Sequence, residues 1–246
     1  TGVTMGLSIR KAINVLFKPA GYQISRLPLQ TTALESALAR VVGSGMEINT
    51  IIDVGASNGQ WTKVVQPFFP NAKSLLIEAN PVHEESLKQF KQEFASANYV
   101  LAAAGDTTGE IYFDARDPLG GLASHTPLPV PTIKVPVTTI DNLVREHGLR
   151  PPFLMKLDTH GFEVPILKGA EKALEQTDLL IVETYNFKLS PISLRFYEFC
   201  QLSSTLGFSP IDFCDPLWRS RDGSFWQFDI LFIRNERSEF ERNSYA

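Results

Sequence analysis

The sequence predicts an α/β domain with a mostly parallel sheet, on three observations. Short β-branched runs ending in glycine or an acid alternate with segments of helical periodicity. The alternation begins abruptly at Thr50, and beyond residue 104 it gives way to closely spaced strands that finish as an antiparallel pair. With 246 residues, 43% hydrophobic and 20% charged, the chain has the composition of an ordinary globular domain, which excludes disorder as a description of the whole.

Each element follows from local pattern. Residues 7–48 read as helical, with Leu34, Ala37, Leu38, Val41 and Val42 at three- and four-residue spacings before Gly43-Ser44-Gly45 closes the run. Residues 50–54 read as a buried strand, and 60–69 as a helix with Trp61, Val64, Val65 and Phe68 on one face. A second strand covers 74–78, a charged amphipathic helix with Leu87, Phe90 and Phe94 inward covers 82–94, and a third strand covers 99–104. Strands at 110–114 and 133–138 flank a Gly/Pro-rich loop, 116–131, whose length and few anchoring residues predict a lid. A helix at 140–147 leads to a strand at 153–158, and the strand at 179–184 repeats its apolar run with an acid near the end. A helix at 193–206 precedes the closing pair, 209–214 and 226–234, joined by a turn containing Asp222-Gly223. The expected organisation is a helical extension over 1–48, one α/β domain over 49–236 and a tail over 237–246.

Charge and composition remove several classes of function. A net charge of −4 and a pI near 5.6 offer no basic footprint for a phosphate backbone, so no nucleic-acid partner is expected. The apolar run at 12–17 is broken by Asn14 and is too short for a signal or a span, and no later run approaches eighteen apolar residues, so no integral membrane segment is expected. Arg10 stands where a myristoylation motif opening at Met5-Gly6 needs Ser or Thr. Cys200 and Cys214 make neither a disulfide framework nor metal-ligand spacing, which suits a reducing cytoplasm.

Ligands of open α/β sheets bind outside the carboxyl ends of the strands. Four polar loops fall there: Asp53 with Gly55-Ala56-Ser57-Asn58-Gly59, then Glu78-Ala79-Asn80-Pro81, then Ala104-Gly105-Asp106, and Asp158-Thr159-His160-Gly161. The first loop is glycine-rich where a strand turns into a helix, which lets a ligand lie against bare backbone. Its spacing is G-x-x-x-G; Ser57 and Gln60 stand where a dinucleotide fingerprint needs glycines, and a cofactor without a pyrophosphate has less need of them. Glu78 sits where an acid accepts both hydroxyls of a ribose, at about 1.5–3 kcal/mol per charge-assisted bond, which implies an adenosine-type ligand.

At these residues the chain resembles the FkbM-type methyltransferases, within the S-adenosylmethionine-dependent Rossmann-like enzymes. The likeness spans residues 50–234. It is carried by Ile52-Asp53-Val54-Gly55-Ala56-Ser57-Asn58-Gly59, Ile77-Glu78-Ala79-Asn80-Pro81, Val137-Thr138-Thr139-Ile140-Asp141, and most specifically Met155-Lys156-Leu157-Asp158-Thr159-His160-Gly161-Phe162-Glu163 with Leu167-Lys168-Gly169-Ala170; Trp226-Gln227-Phe228-Asp229-Ile230-Leu231-Phe232 is similar to the family's terminal strand. The resemblance implies a Rossmann-like class I methyltransferase sheet, mostly parallel with an antiparallel C-terminal strand, and S-adenosylmethionine as cofactor. It implies that Asp53, Gly55 and Gly59, with Ala56, Ser57 and Asn58 between the glycines, cradle the methionine end. By the same resemblance Glu78 holds the ribose, Asn80 approaches the adenine side, Gly105 and Asp106 flank the adenine, and Asp158 faces the sulfonium and the acceptor. One departure stands out: position 160, commonly Glu or Gln in the family, is His160.

Methyl transfer to a hydroxyl oxygen draws most of its acceleration from alignment, about 7–11 kcal/mol, against about 3–5 kcal/mol from a general base. His160 is the expected base, histidine being the side chain that titrates nearest neutrality, with Asp158 orienting the transfer and Lys156 stabilising charge. His125 in the lid loop is a second candidate base. Glu163 begins a helix, where the dipole favours an acid; with Asp158 and His160 it lacks a fourth ligand, so no metal is expected. The turn at 215–226, with Trp218, Arg219 and Arg221, is a candidate acceptor wall. The implied acceptor is a small molecule, a polyketide, or a sugar or glycan, and a homo-oligomer is an open possibility. Two other readings are an NAD(P)-dependent oxidoreductase, which the G-x-x-x-G loop disfavours, and a non-catalytic Rossmann-like binding or scaffold protein.

Overall fold

The structure is a computed structural model and describes residues 32–241 and Ser244. The first half alternates as expected: α1 (Leu34–Gly43), β1 (Thr50–Val54), α2 (Gln60–Val65), β2 (Lys73–Glu78), α3 (Glu84–Glu93) and β3 (Ala97–Leu101). Four strands follow, β4 (Ala103–Ala104), β5 (Gly109–Asp114), β6 (Leu122–Ser124) and β7 (Ile133–Thr138). Next come α4 (Ile140–Glu146), β8 (Phe153–Leu157), α5 (Glu163–Lys168), α6 (Glu171–Leu174), β9 (Thr177–Tyr185), α7 (Phe196–Thr205), β10 (Phe208–Trp218) and β11 (Phe225–Arg234).

The main sheet has seven strands in the order β10-β11-β9-β8-β1-β2-β3. Pairs from β9 to β3 are parallel, and β11 is antiparallel to both β9 and β10. β11 alone therefore runs backwards, inserted between two strands that share the direction of the rest. β1, β8 and most of β9 are buried, which explains why they read as unbroken apolar runs rather than as alternation.

Two apolar layers hold the sheet. On one face Leu34, Ala37, Leu38 and Val41 of α1 pack with Ile51, Leu154, Ile181 and Leu231. Residues 34–43 thus share the core of the sheet, while the helical reading of residues 7–31 lies outside the described residues. Val42, expected on the inner face of that helix, is 37% exposed; at about 100° per residue it falls at the outer edge of the stripe formed by Leu34, Ala37, Leu38 and Val41. On the other face Val54, Met155, Leu157 and Val182 pack with Ile140, Ile166 and Phe199.

Four local expectations are corrected. The expected third strand, 99–104, is two strands: β3 ends at Leu101, and β4 joins a separate four-stranded sheet of order β4-β7-β5-β6. Ala103 and Ala104 pack in one core with Phe113 and Val137, and an apolar run does not record which sheet it enters. The loop 116–131 is not wholly irregular, since β6 within it pairs with β5. The helix 60–69 stops at Val65 and tightens into a 3₁₀ turn, Gln66–Phe68, around Pro67. The closing pair is longer than its hydrophobic pattern, because β10 continues through register shifts to Trp218. No helix among the described residues is long and apolar enough to cross a membrane.

Candidate functional site

Chain order leaves β1 toward β2 and β3 on one side, then returns to β8 on the other, so the sheet switches direction between β1 and β8. Ligands of such sheets bind at that point. A cleft of about 710 Å³, partly open to solvent, lies there. Gly55, Ser57, Glu78 and Asn80 line one side, Asp158, Thr159, His160 and Phe162 the other, and Pro118, Leu119, Gly121 and Ala123 reach it from the loop expected to be a lid.

The G-x-x-x-G loop is shaped by packing as well as by openness to a ligand. Gly55 has φ 78°, and a Cβ there would lie 1.9 Å from the carbonyl oxygen of Asp158. Asp158 in turn donates its N–H to the Val54 carbonyl at 3.0 Å, so the two rims are stitched backbone to backbone. Gly59 has φ 80° and backs onto the Phe90 ring, 2.7 Å from where its Cβ would be. Between them Ser57, at φ 49°, donates its N–H to Glu78 Oε2 at 2.7 Å. Asn80 N–H donates to the other oxygen, Oε1, at 2.6 Å. Burial pushes the Glu78 carboxyl up, and the Asn80 and Ser57 donors with nearby His83 oppose it. Asn80 Oδ1 accepts from Val82 N–H at 3.2 Å, whereas its Nδ2 is buried with no hydrogen-bond partner among the described residues.

Not every expected cofactor residue reaches the cleft. Asp53 is 0% exposed and accepts a hydrogen bond from Thr62 Oγ1 at 2.6 Å; it anchors the start of α2 from beneath the loop. Burial pushes its carboxyl up against the pull of Lys156. Asn58 Oδ1 caps the Gln60 N–H at 3.1 Å. Ala56, Asn58, Gly59, Gly105 and Asp106 do not line the cleft. Gly105 instead packs against Gly169, whose Cβ would meet its carbonyl oxygen at 1.9 Å. Asp106 faces the loop 116–131, with His125 Nε2 3.3 Å from its Oδ1.

His83 is a contributor that the sequence hid inside an amphipathic helix pattern. It is buried, with Nε2 2.8 Å from the Pro118 carbonyl oxygen and 3.4 Å from Ser57 Oγ. It therefore ties the lid loop to the same turn that holds Glu78. His125, the second candidate base, sits with its ring 5.5 Å from that of Phe162 and does not line the cleft.

The opposite rim gathers around Lys156. Its ammonium is 2.8 Å from Asp158 Oδ2 and 5.0 Å from the Trp61 ring centroid, in a side chain 5% exposed. Burial acts to discharge it, but Asp158, Asp53 and Asp229 outweigh that and hold it above the ordinary lysine range. Asp158 lies below the usual carboxylate range: burial opposes, and Lys156, His160 and Glu183 prevail. His160, at φ 53°, has Nε2 3.9 Å from Glu183 Oε2. Glu183 accepts hydrogen bonds from the Tyr185 hydroxyl and the Gln227 amide, and burial with the Asp158 charge pushes it up to about 9. Burial pushes Asp229 up to about 7 against the pull of Lys156.

Glu163 does not join Asp158 and His160 as a third ligand. Its Oε1 accepts from Gly161 N–H at 2.8 Å and Thr159 Oγ1 at 3.1 Å, which fixes the turn that projects His160. Glu183 is their acidic neighbour instead, with one polar atom from each of Asp158, His160 and Glu183 within 4.8 Å of one another. Their carboxylates are already engaged by Lys156, Tyr185 and Gln227. The strand-end acid in the 179–184 run was the signal for Glu183. Beyond it, the Tyr185 ring meets Trp226 edge-on at 5.6 Å, Trp226 stacks on Phe187 at 5.4 Å, and the Arg219 guanidinium lies 3.9 Å over Phe187. Trp218, expected in the turn, is 59% exposed at the end of β10.

Among solved structures, the chain is similar to a methyltransferase FkbM from Methylobacillus flagellatus KT, with 17% identity, a TM-score of 0.50, and coverage of 75% of this chain and 43% of that one. The chain thus spans less than half the length of that protein. A precorrin-6y C5,15-methyltransferase from Geobacter metallireducens GS-15 has 10% identity, a TM-score of 0.45, and coverage of 83% of this chain and 90% of that one. No curated protein matches. The family model described as a methyltransferase FkbM domain matches residues 53–210. That span takes in the glycine loop, Glu78, Asp158, His160 and Glu183, and on it the chain belongs to the FkbM methyltransferase family.

Proposed function

We propose that the protein transfers a methyl group from S-adenosylmethionine to a hydroxyl oxygen of a small molecule, polyketide, sugar or glycan. The observation that carries this reading is the Glu78 carboxylate, clamped by the N–H groups of Ser57 and Asn80 and facing a cleft at the switch point of the sheet. A carboxylate so held keeps lone pairs for a diol, and the unpartnered Nδ2 of Asn80 beside it suits an acceptor atom of a base. Ile77, Ala79, Phe162 and Ile166 give the apolar surface an adenine needs. These residues fit the cofactor. Ser57 and the backbone of Gly55 would hold its polar end, with Asp53, Ala56, Asn58 and Gly59 shaping the loop from behind and Gly105 and Asp106 shaping the adenine side.

S-adenosylmethionine, when bound, supplies a methyl group on a positively charged sulfur. The residues of this chain then have two tasks, alignment and proton removal. Asp158, kept ionised by Lys156, orients the acceptor hydroxyl. His160 takes the hydroxyl proton onto a ring nitrogen, the O–H electron pair staying with the oxygen. The wall formed by Tyr185, Trp226, Phe187 and Arg219 offers flat apolar faces to an acceptor ring. His83 and His125 brace the lid that shields these groups from water.

The test is a thermal shift and calorimetric titration with S-adenosylmethionine, S-adenosylhomocysteine, NAD and NADP in parallel. At about 100 times its dissociation constant the true cofactor adds about 2.7 kcal/mol of stability. Selective stabilisation by S-adenosylhomocysteine is expected. Its absence in folded, ligand-free protein would overturn the reading.

A further inference from the structure

Strand register brings more acid to the Lys156 side of the sheet than one ammonium can balance. Asp53 pairs with Lys156, Lys156 with Ile181, and Glu183 with Asp229. Paired residues share a face, as do residues two apart on a strand, so Asp53, Lys156, Glu183 and Asp229 all project to one side. Asp158 joins them from just beyond β8. Among the described residues Asp158, Asp53 and Asp229 face the Lys156 ammonium and Glu183 faces Asp158, so four carboxylates share one lysine in a largely buried setting, where uncompensated charge is strongly unfavourable. Protons must remain bound at neutral pH.

The hydrogen bonds indicate where one of them sits. Asp158 has the cation as its direct partner. Among the described residues Glu183 has neutral donors, the Tyr185 hydroxyl and the Gln227 amide, and its carboxylate lies within 4.8 Å of that of Asp158, an approach that two carboxylates make favourably only when one of them carries a proton. We propose that Glu183 is a positioning residue that stays protonated at neutral pH, donates to Asp158, and thereby keeps Asp158 ionised and His160 free to accept a proton. The last clause rests on the methyl-transfer reading; the first two do not.

The distance to His160 gives the arrangement its consequence. An ionised carboxylate 3.9 Å from the ring would favour the imidazolium, which cannot act as a base. A neutral Glu183 withholds that second negative charge and leaves the ring beside the Asp158 charge alone. The charged and titratable groups around Glu183 are Asp158 and His160 from the loop after β8, Tyr185 on its own strand, and Asp229 from β11; Lys156 reaches Asp158, and Glu163 faces Tyr185. Apart from Lys156, and His160 when charged, none of these would help an ionised Glu183 by its charge.

The experiment compares denaturant unfolding of the full chain and of Glu183→Gln as a function of pH. The carboxyl is raised from 4.5 to about 9 in the fold, so its contribution to stability is complete below the unfolded value and is lost as pH rises through the folded one. The folded-to-unfolded ratio of the wild type, relative to Glu183→Gln, is expected to fall at least about 100-fold between about pH 5 and about pH 9. A ratio that does not change over that interval means Glu183 is ionised throughout and overturns the proposal. If Glu183→Gln does not fold, the infrared carbonyl band of a protonated carboxyl in the wild type at neutral pH is the readout. That band should move in Tyr185→Phe, and a band indifferent to Tyr185→Phe overturns the proposal. Neither readout needs cofactor, so failure to bind S-adenosylhomocysteine would strike the methyltransferase reading and leave the protonated Glu183 standing.

Discussion

The Cβ that Gly55 lacks would lie 1.9 Å from the carbonyl oxygen of Asp158. The turn that carries Ser57 and the turn that carries His160, which line the cleft from either side, are therefore held at a separation set by the absence of a side chain. Gly55→Ala should do double damage, through the clash and through a left-handed φ of 78°, which alone costs about 1–3 kcal/mol in a non-glycine residue. The expected result is a lowered denaturation midpoint together with lost S-adenosylhomocysteine binding. Binding at wild-type affinity would show that the two rims can separate without consequence.

Glu78→Ala removes the carboxylate that Ser57 and Asn80 position. Cofactor affinity should drop at least about tenfold, equivalent to about 1.4 kcal/mol, by calorimetry on folded protein. Unchanged affinity would dismiss the ribose assignment.

His160→Ala should separate binding from turnover. The proposed mechanism puts its ring on the acceptor side, so S-adenosylhomocysteine affinity is expected to persist while kcat falls by roughly 10²–10⁴-fold, the usual contribution of a general base. A wild-type rate would move the proton to another group.

Lys156→Met keeps the length of the side chain and deletes its charge. Asp158, Asp53 and Asp229 then lose their shared counter-ion, and breaking a buried pair from one side costs about 3–5 kcal/mol. The loss should be largest where those acids are ionised and should shrink as pH falls and they take up protons, Asp229 first because it is raised to about 7. Denaturant midpoints measured from neutral to acid pH check this; a pH-independent loss would assign Lys156 a packing role over Trp61.

His83→Ala should free the lid at Pro118, since the contact between the ring and that carbonyl oxygen is 2.8 Å and a hydrogen bond of this kind contributes about 0.5–1.5 kcal/mol. Limited proteolysis within residues 116–131 should accelerate several-fold. An unaltered cleavage rate would mean that the loop is held by β6 alone.

The alternation of strands and helices from β1 to β3, and the acids at strand ends, were legible because a buried parallel strand writes its whole length as apolar residues. So was the position of Glu78, because spacing along the chain translates directly into position at the carboxyl edge of the sheet. The second sheet was not, since Ala103 and Ala104 carry no mark of which partners they will pair with. Asp53 illustrates a different limit: the same motif position serves a residue that touches ligand or one that, as here, supports Thr62 from below, and only depth distinguishes them. Gln227 meets Glu183 and Tyr185 through pairing between β9 and β11, a long-range register that no local period encodes.

The reversed strand β11 also sets an order of events. Gln227 and Asp229 enter the polar cluster only when β11 slides between β9 and β10, and β11 follows both of them along the chain. Until then β9 presents a long, apolar, unpaired edge, the kind of surface that recruits other chains. Synthesis from the N-terminus therefore exposes this edge of β9 before its partner strand exists, and the same insertion that covers it also completes the environment of Glu183.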